Sequence, residues 1–140
     1  LGIRLSGAKG DLTGSDHVVW SVKRDSPYVP SPVLYRGTLY VVRHNQNILG
    51  RFDPMTGKQR ESLRLTGIRD FIFSSPVAAD GRIYVTGRDG STVVLSAEGE
   101  NEILAVNRLD DSFSASPALA GKEMFLRGQR FLYALSEEPL

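Results

Sequence analysis

The sequence contains no cysteine among its 140 residues and only two histidines. The missing thiols exclude disulfide bonds, cysteine-ligated zinc, iron–sulfur clusters and thiol nucleophiles, and they leave the compartment open. An excess of one charge is missing as well, because 17 Lys and Arg against 16 Asp and Glu leave a formal net charge of +1. A protein that binds nucleic acid or an anionic membrane through its overall field is therefore disfavoured.

Long hydrophobic runs and helical periodicity are also missing. No apolar run approaches the roughly 18 residues that a membrane span needs. No segment of about ten residues keeps apolar positions at helical spacing, so we predict no α-helix. The length and a hydrophobic content of 41% nevertheless suit one domain with a real core. Because the chain starts at Leu1 without an initiator Met or a leader, we expect a processed or excised piece of a longer protein.

An internal repeat is the strongest pattern that is present. The segment Ser31–Val42 aligns with Ser75–Thr86 and again with Ser116–Arg127, at steps of 44 and 41 residues. Each copy starts with Ser-Pro and continues as strand, two-residue turn and strand, which is the pattern of an antiparallel hairpin. We therefore divide the chain into the rear strands of a preceding unit (1–30), repeat 1 (31–74), repeat 2 (75–115) and an incomplete repeat 3 (116–140).

A third and a fourth strand are predicted after each hairpin where the chain is long enough. The third strands are Ile48–Phe52, Thr92–Leu95 and Phe131–Leu135, and the fourth strands are Arg60–Leu65 and Glu102–Asn107. Leu1–Leu5 and His17–Val22 supply two strands before the first repeat, which gives thirteen strands in all.

The second strand of each repeat is apolar on both faces. Leu39 and Val41 point to one side of the predicted sheet, while Tyr40 and Val42 point to the other. Without helices, only another sheet on each side can cover such a strand. Radial stacking of four-stranded antiparallel sheets at this period is a β-propeller, and about three blades are present, as a partial propeller or a fragment of a larger one.

The motifs resemble those of a known repeat family. The stretches Ser31–Lys58, Ser75–Gly99 and Ser116–Ser136 are similar to the pyrroloquinoline-quinone-like (PQQ-like) propeller repeats of quinoprotein dehydrogenases and of BamB-type outer-membrane assembly lipoproteins. The resemblance implies an extracytoplasmic, periplasmic bacterial protein. Quinone-binding members of the family use a vicinal cysteine pair, which this chain lacks. We therefore expect no cofactor in this chain, and binding of PQQ is possible only in the full-length parent.

Most polar and aromatic candidates have a structural reading. Tyr40, Tyr84 and Phe125 are equivalent, and since Phe125 lacks a hydroxyl, the shared property is ring area in the core. Trp20 is expected to anchor one blade to the next. His17 and His44 have no metal-ligand spacing, and Ser15-Asp16-His17 is expected to be a turn rather than a catalytic triad. The aspartates in turns, Asp53, Asp80, Asp89, Asp110 and Asp111, are expected to cap their own backbone.

Arginines near the strand ends are the candidate site. Arg43, Arg88 and Arg127, with Arg130 nearby, fall close to the end of the second strand of each repeat. Equivalent strand ends lie on one rim of a propeller, so these side chains are candidates for a ring that binds an acidic ligand or partner; solvated turn charges are the alternative.

The sequence favours a non-enzymatic scaffold that binds protein or another ligand, without catalytic or metal-binding residues. The alternative is a portion of a PQQ-dependent oxidoreductase whose cofactor site lies mainly in absent blades. Open sheet faces and unpaired edges are expected, so the partner is predicted to be a protein or a second copy that completes the propeller.

Overall fold

Thirteen β-strands make up the regular structure of this computed structural model, which describes residues 1–23, 26–43, 45–100 and 102–136. No helix occurs in these ranges, and the predicted all-β class is confirmed. The strands are β1 (Gly2–Ile3), β2 (Val18–Trp20), β3 (Val33–Tyr35), β4 (Thr38–Arg43), β5 (Ile48–Phe52), β6 (Leu63–Arg64), β7 (Val77–Ala79), β8 (Arg82–Thr86), β9 (Ser91–Ser96), β10 (Ile103–Arg108), β11 (Ala118–Ala120), β12 (Glu123–Arg127) and β13 (Leu132–Ser136).

Each repeat folds into one antiparallel sheet whose strands neighbour one another in chain order. Strands β3 to β6 form the four-stranded blade 1, β7 to β10 form the four-stranded blade 2, and β11 to β13 form the three-stranded blade 3. β1 and β2 form a separate two-stranded sheet. The last four residues of repeat 3, 137–140, lie outside the described ranges.

The hairpin turns adopt the backbone that their residues favour. Arg36 and Gly37 have φ of 46° and 71°, and Asp80 and Gly81 have φ of 45° and 71°. Two successive positive φ values are the pattern of a type I′ turn, whose twist matches that of the strands. In blade 3 only the first turn residue, Gly121, has a positive φ, of 59°, as in a type II′ turn.

The core lies between blades 1 and 2. On β4, Val41 is 6% exposed and its neighbour Val42 is fully buried; on β8, Val85 and Thr86 are both fully buried. Because neighbouring strand residues point to opposite faces, both faces of these strands are covered, as the sequence predicted. The buried cluster that joins the two blades consists of Tyr40, Val42, Leu49, Leu65, Ile68, Ile72, Ile83, Val85, Val93 and Leu95.

Three predicted strands are shorter than expected. The fourth strand of blade 1 covers Leu63–Arg64 instead of 60–65, because its register with β5 slips by one residue: Leu49 pairs with Leu63, but Phe52 bridges Gln59. β1 and β2 are likewise shorter than 1–5 and 17–22, and a bulge interrupts their register next to Ile3.

Candidate partner-binding site

A serine at the start of each repeat joins neighbouring blades. The Ser31 backbone N–H donates to Ser75 Oγ at 2.8 Å, and the Ser75 N–H donates to Ser116 Oγ at 2.9 Å. The proline after each serine disfavours helical backbone at the serine, which suits the extended entry into an inner strand. We call this series the serine ladder. The Ser-Pro pairs identified the repeat in the sequence, but their role in joining blades was missed.

One face of blade 3 is uncovered, and the strand register shows how it differs from the other blades. Three cross-strand pairs occupy equivalent places in blades 1, 2 and 3: Val42 with Leu49, Thr86 with Thr92, and Arg127 with Leu132. The first two pairs are at most 7% exposed, whereas Leu132 is 72% exposed and Arg127 is exposed as well. On the opposite face of blade 3, Leu126 is only 2% exposed.

The side chains on this uncovered side follow from the period of two along each strand. We call them the open face: Ala118, Ala120, Glu123, Phe125, Arg127, Leu132 and Ala134. Phe125 is half-buried there, whereas its equivalent in blade 1, Tyr40, is 2% exposed in the core. The packing role expected for this aromatic position is therefore confirmed at Tyr40.

The four candidate arginines do not share one direction. Arg127 lies on the open face, while Arg43, one position further along its strand than the equivalent Val42, points to the other side of its sheet. Arg88 lies in the β8–β9 turn, and Arg130 lies in the β12–β13 turn, where its Nη2 is 3.0 Å from Asp110 Oδ2. Only Arg88 and Arg130 approach a common element, the linker at residues 109–111.

Asp111 in that linker orders the β12–β13 turn. Its carboxylate accepts the backbone N–H groups of residues 129–131 at 3.1 to 3.3 Å and of Ser112 at 2.8 Å, and the Tyr133 hydroxyl lies 3.2 Å away. Burial opposes ionisation, but the hydrogen bonds from Ser112, Arg130, Phe131 and Tyr133 outweigh it and lower the pKa of this carboxyl. The same burial and the carboxylate raise the pKa of Tyr133.

The expectation that turn aspartates cap their own backbone is confirmed for Asp53, and for Asp111 it covers only the bond from the Ser112 N–H. Asp53 Oδ1 accepts the N–H groups of Met55 and Thr56, both at 2.9 Å, and the Thr56 hydroxyl at 3.0 Å. The backbone and side-chain hydrogen bonds from Thr56 are the main reason that the pKa of Asp53 is lowered. Asp111 in addition caps a turn about 20 residues further along the chain. These distant N–H donors belong to the β12–β13 hairpin of blade 3, so no sequence signal close to Asp111 indicates them.

Trp20 anchors the β1–β2 sheet to blade 1, as predicted. Its Nε1 donates to the Pro54 carbonyl at 2.9 Å, and a Cβ added at Gly57 would lie 2.6 Å from Trp20 Cδ2. Gly57 also has a φ of 67°, so the turn needs glycine for both its backbone and the space it leaves. The Thr-Gly pair of repeat 1 is therefore part of this contact.

Ser15, Asp16 and His17 lie in the turn before β2, as expected. His17 Nδ1 is 2.9 Å from the Arg4 carbonyl, and Ser15 Oγ donates to the Leu12 carbonyl at 2.8 Å within the turn before β2. His44 lies outside the described residues. Within residues 1–23, 26–43, 45–100 and 102–136, no three His, Asp or Glu side chains group in a way that would hold a metal ion. The same part of the chain contains no helix long and apolar enough to cross a membrane.

Comparison with protein-family models and with curated proteins finds no match to this sequence. Among solved structures, the chain is similar to BamB from Moraxella catarrhalis, with a TM-score of 0.66 and 15% sequence identity over 84% of its residues. The match spans 36% of that BamB chain. The likeness establishes the fold, which is that of blades from a β-propeller, and confirms the architecture predicted from the repeat.

Proposed function

We propose that this chain is a non-enzymatic β-propeller scaffold that binds protein through the open face of blade 3. The observation that carries the proposal is the contrast between equivalent positions, since Leu49 is fully buried between two blades and Leu132 is 72% exposed. A sheet face of this kind in the other blades is covered by a neighbouring sheet, and apolar surface left uncovered favours association.

A second copy of the chain is the partner that we propose for this face. Glu123 and Arg127 lie at opposite ends of β12 on the open face, with Phe125 between them. Among the residues that the structure describes, the Glu123 carboxylate and the Arg127 guanidinium have no ion pair and no side-chain hydrogen bond. In a two-fold contact with antiparallel β12 strands, Glu123 of each copy faces Arg127 of the other, so the face is complementary to itself.

The setting that we propose is extracytoplasmic in a bacterium. It is supported by the resemblance of the three repeats to PQQ-like propeller repeats and by the shared fold with BamB from Moraxella catarrhalis. The proposed scaffold uses no cofactor of its own.

Sedimentation velocity over a range of protein concentrations tests the proposed contact. The wild-type chain is expected to shift from monomer to dimer, and Leu132→Asp is expected to stay monomeric because it replaces the most exposed large apolar side chain of the face by a charge. Leu104→Asp is the matched control, since Leu104 is an exposed leucine (51%) on β10, away from the open face.

Charge reversal makes the test specific to the proposed arrangement. Glu123→Arg alone, or Arg127→Glu alone, makes positions 123 and 127 carry the same charge. A two-fold contact brings these positions together twice, so either single variant should weaken the dimer. The double variant exchanges the two charges and should restore it. A wild-type chain that stays monomeric at every concentration, or a double variant no better than the single ones, would refute a second copy as the partner.

A further inference from the structure

An open cleft lies between blade 2 and the linker that leads to blade 3. Its volume is about 570 Å³, and it is lined by Arg88, Asp89, Arg108, Leu109, Asp110 and Asp111. Two arginines and three aspartates are therefore close together, and no residue of the open face is among those that line the cleft. The chemistry of the cleft depends on which of these charges are already used within the protein.

The acidic groups of the cleft are occupied. Asp89 accepts the backbone N–H of Arg69 at 2.9 Å and that of Ser91 at 3.2 Å. Asp110 is paired with Arg130 at 3.0 Å, and Asp111 holds the β12–β13 turn as described above. Both oxygens of Asp89 and Asp111 and one oxygen of Asp110 accept from protein donors, so these carboxylates are poor candidates for binding a cation.

Arg108 is also occupied. Its guanidinium donates to Ser91 Oγ at 2.9 and 3.1 Å and lies 3.7 Å from Asp89 Oδ2. These contacts fix the side chain at the wall of the cleft, where it adds a positive charge without being free to move towards a ligand.

Arg88 differs from its neighbours in the cleft. Its guanidinium lies over the Phe73 ring, with Cζ 5.1 Å from the ring centroid, and its side chain has no hydrogen bond or ion pair with any residue that the structure describes. Nε is shielded from solvent and has no partner, so the two terminal nitrogens are the donors left for a ligand. A planar cation held on an aromatic ring is pre-organised for bidentate contact with a carboxylate.

We propose that this cleft binds the carboxylate of an acidic side chain on a protein partner, with Arg88 as the direct ligand and Arg108 as a second positive charge. A single carboxylate is favoured over a dianionic phosphate because three aspartates lie in the same wall and repel additional negative charge. This site is separate from the open face and does not depend on the proposed dimer.

The test uses glutamate blocked at both backbone ends, N-acetylglutamate amide, which carries one negative charge, and N-acetylglutamine amide as the neutral probe. The backbone amide signals of residues 88–89 and 109–111 are followed by heteronuclear NMR during titration of each probe. We expect saturable shifts at millimolar concentration with the acidic probe and none with the neutral one.

Two substitutions assign the effect to a residue. Arg88→Lys keeps the charge but loses the planar donor pair, and it should weaken binding about tenfold. Arg4→Lys, at an exposed arginine beside the β1–β2 sheet, is the matched control and should leave binding unchanged. The Leu132→Asp variant should also bind the probe, which separates this site from the dimer contact. The proposal is overturned if the shifts do not saturate, if Arg88→Lys binds as well as wild type, or if inorganic phosphate binds more tightly.

Discussion

Replacing two leucines at equivalent positions measures how much a neighbouring blade contributes to stability. Leu49 in blade 1 and Leu132 in blade 3 hold the same place in their sheets, but Leu49 is fully buried and Leu132 is 72% exposed. Leu49→Ala removes buried carbon and leaves a cavity, which costs about 3 kcal/mol within a range of roughly 2–5 kcal/mol. Leu132→Ala removes surface that already contacts water and should cost less than about 0.5 kcal/mol.

The assay is urea unfolding followed by far-UV circular dichroism at low micromolar protein, where association contributes little to stability. With a slope of about 1.5 kcal/mol per molar urea, Leu49→Ala should lower the midpoint by about 2 M and Leu132→Ala by less than about 0.4 M. Equal losses for the two variants would show that the face of blade 3 is covered after all. A loss of less than about 1 kcal/mol for Leu49→Ala would contradict the packing between blades 1 and 2.

Three further predictions concern single features. Gly57→Ala should destabilise the protein by more than about 1 kcal/mol and change the fluorescence of Trp20. Gly10→Ala is the control: Gly10 has a similar φ of 65°, but a Cβ added there meets nothing within 4 Å, so its loss of stability measures the cost of the positive φ alone. Asp111→Asn should lower the melting temperature most at neutral pH. Because the pKa of Asp111 is lowered in the folded protein, its carboxylate contributes fully to the free energy of unfolding above the pKa of the unfolded chain, which is about 4. This contribution is lost as the pH falls through the folded pKa, so the melting temperatures of wild type and Asp111→Asn should converge in acid. Adding PQQ with calcium should leave the visible absorption of the quinone unchanged, and a saturable spectral change would contradict the proposal that this chain uses no cofactor.

The fold was predictable because its signals are local. The runs of consecutive apolar residues along β4 and β8 and the turn pairs Arg36-Gly37 and Asp80-Gly81 each act within a few residues. Repetition then made the pattern unambiguous, since the same signal occurs three times. The stacking of sheets followed from the burial of both faces, which the sequence shows directly in neighbouring apolar residues.

Strand ends and the arginine rim were less predictable because they depend on contacts between distant segments or on a single position. β6 is short because its pairing with β5 slips by one residue, from Leu49 with Leu63 to Phe52 with Gln59. Arg43 and Arg127 differ by one place in the repeat, and one place reverses the direction of a side chain in a strand. The stacking of Arg88 on Phe73, on which the carboxylate site depends, joins residues from two separate loops.

The serine ladder has a consequence for how such a protein can grow. Repeat 2, a segment of 41 residues, contains both a donor for the segment after it and an acceptor for the segment before it, because Ser75 donates to Ser116 and accepts from Ser31. Duplicating the corresponding stretch of coding sequence therefore copies the means of attachment along with the part attached. A gene can lengthen or shorten such an array in whole units without inventing a new joint, and each added unit is free to vary its outward loops.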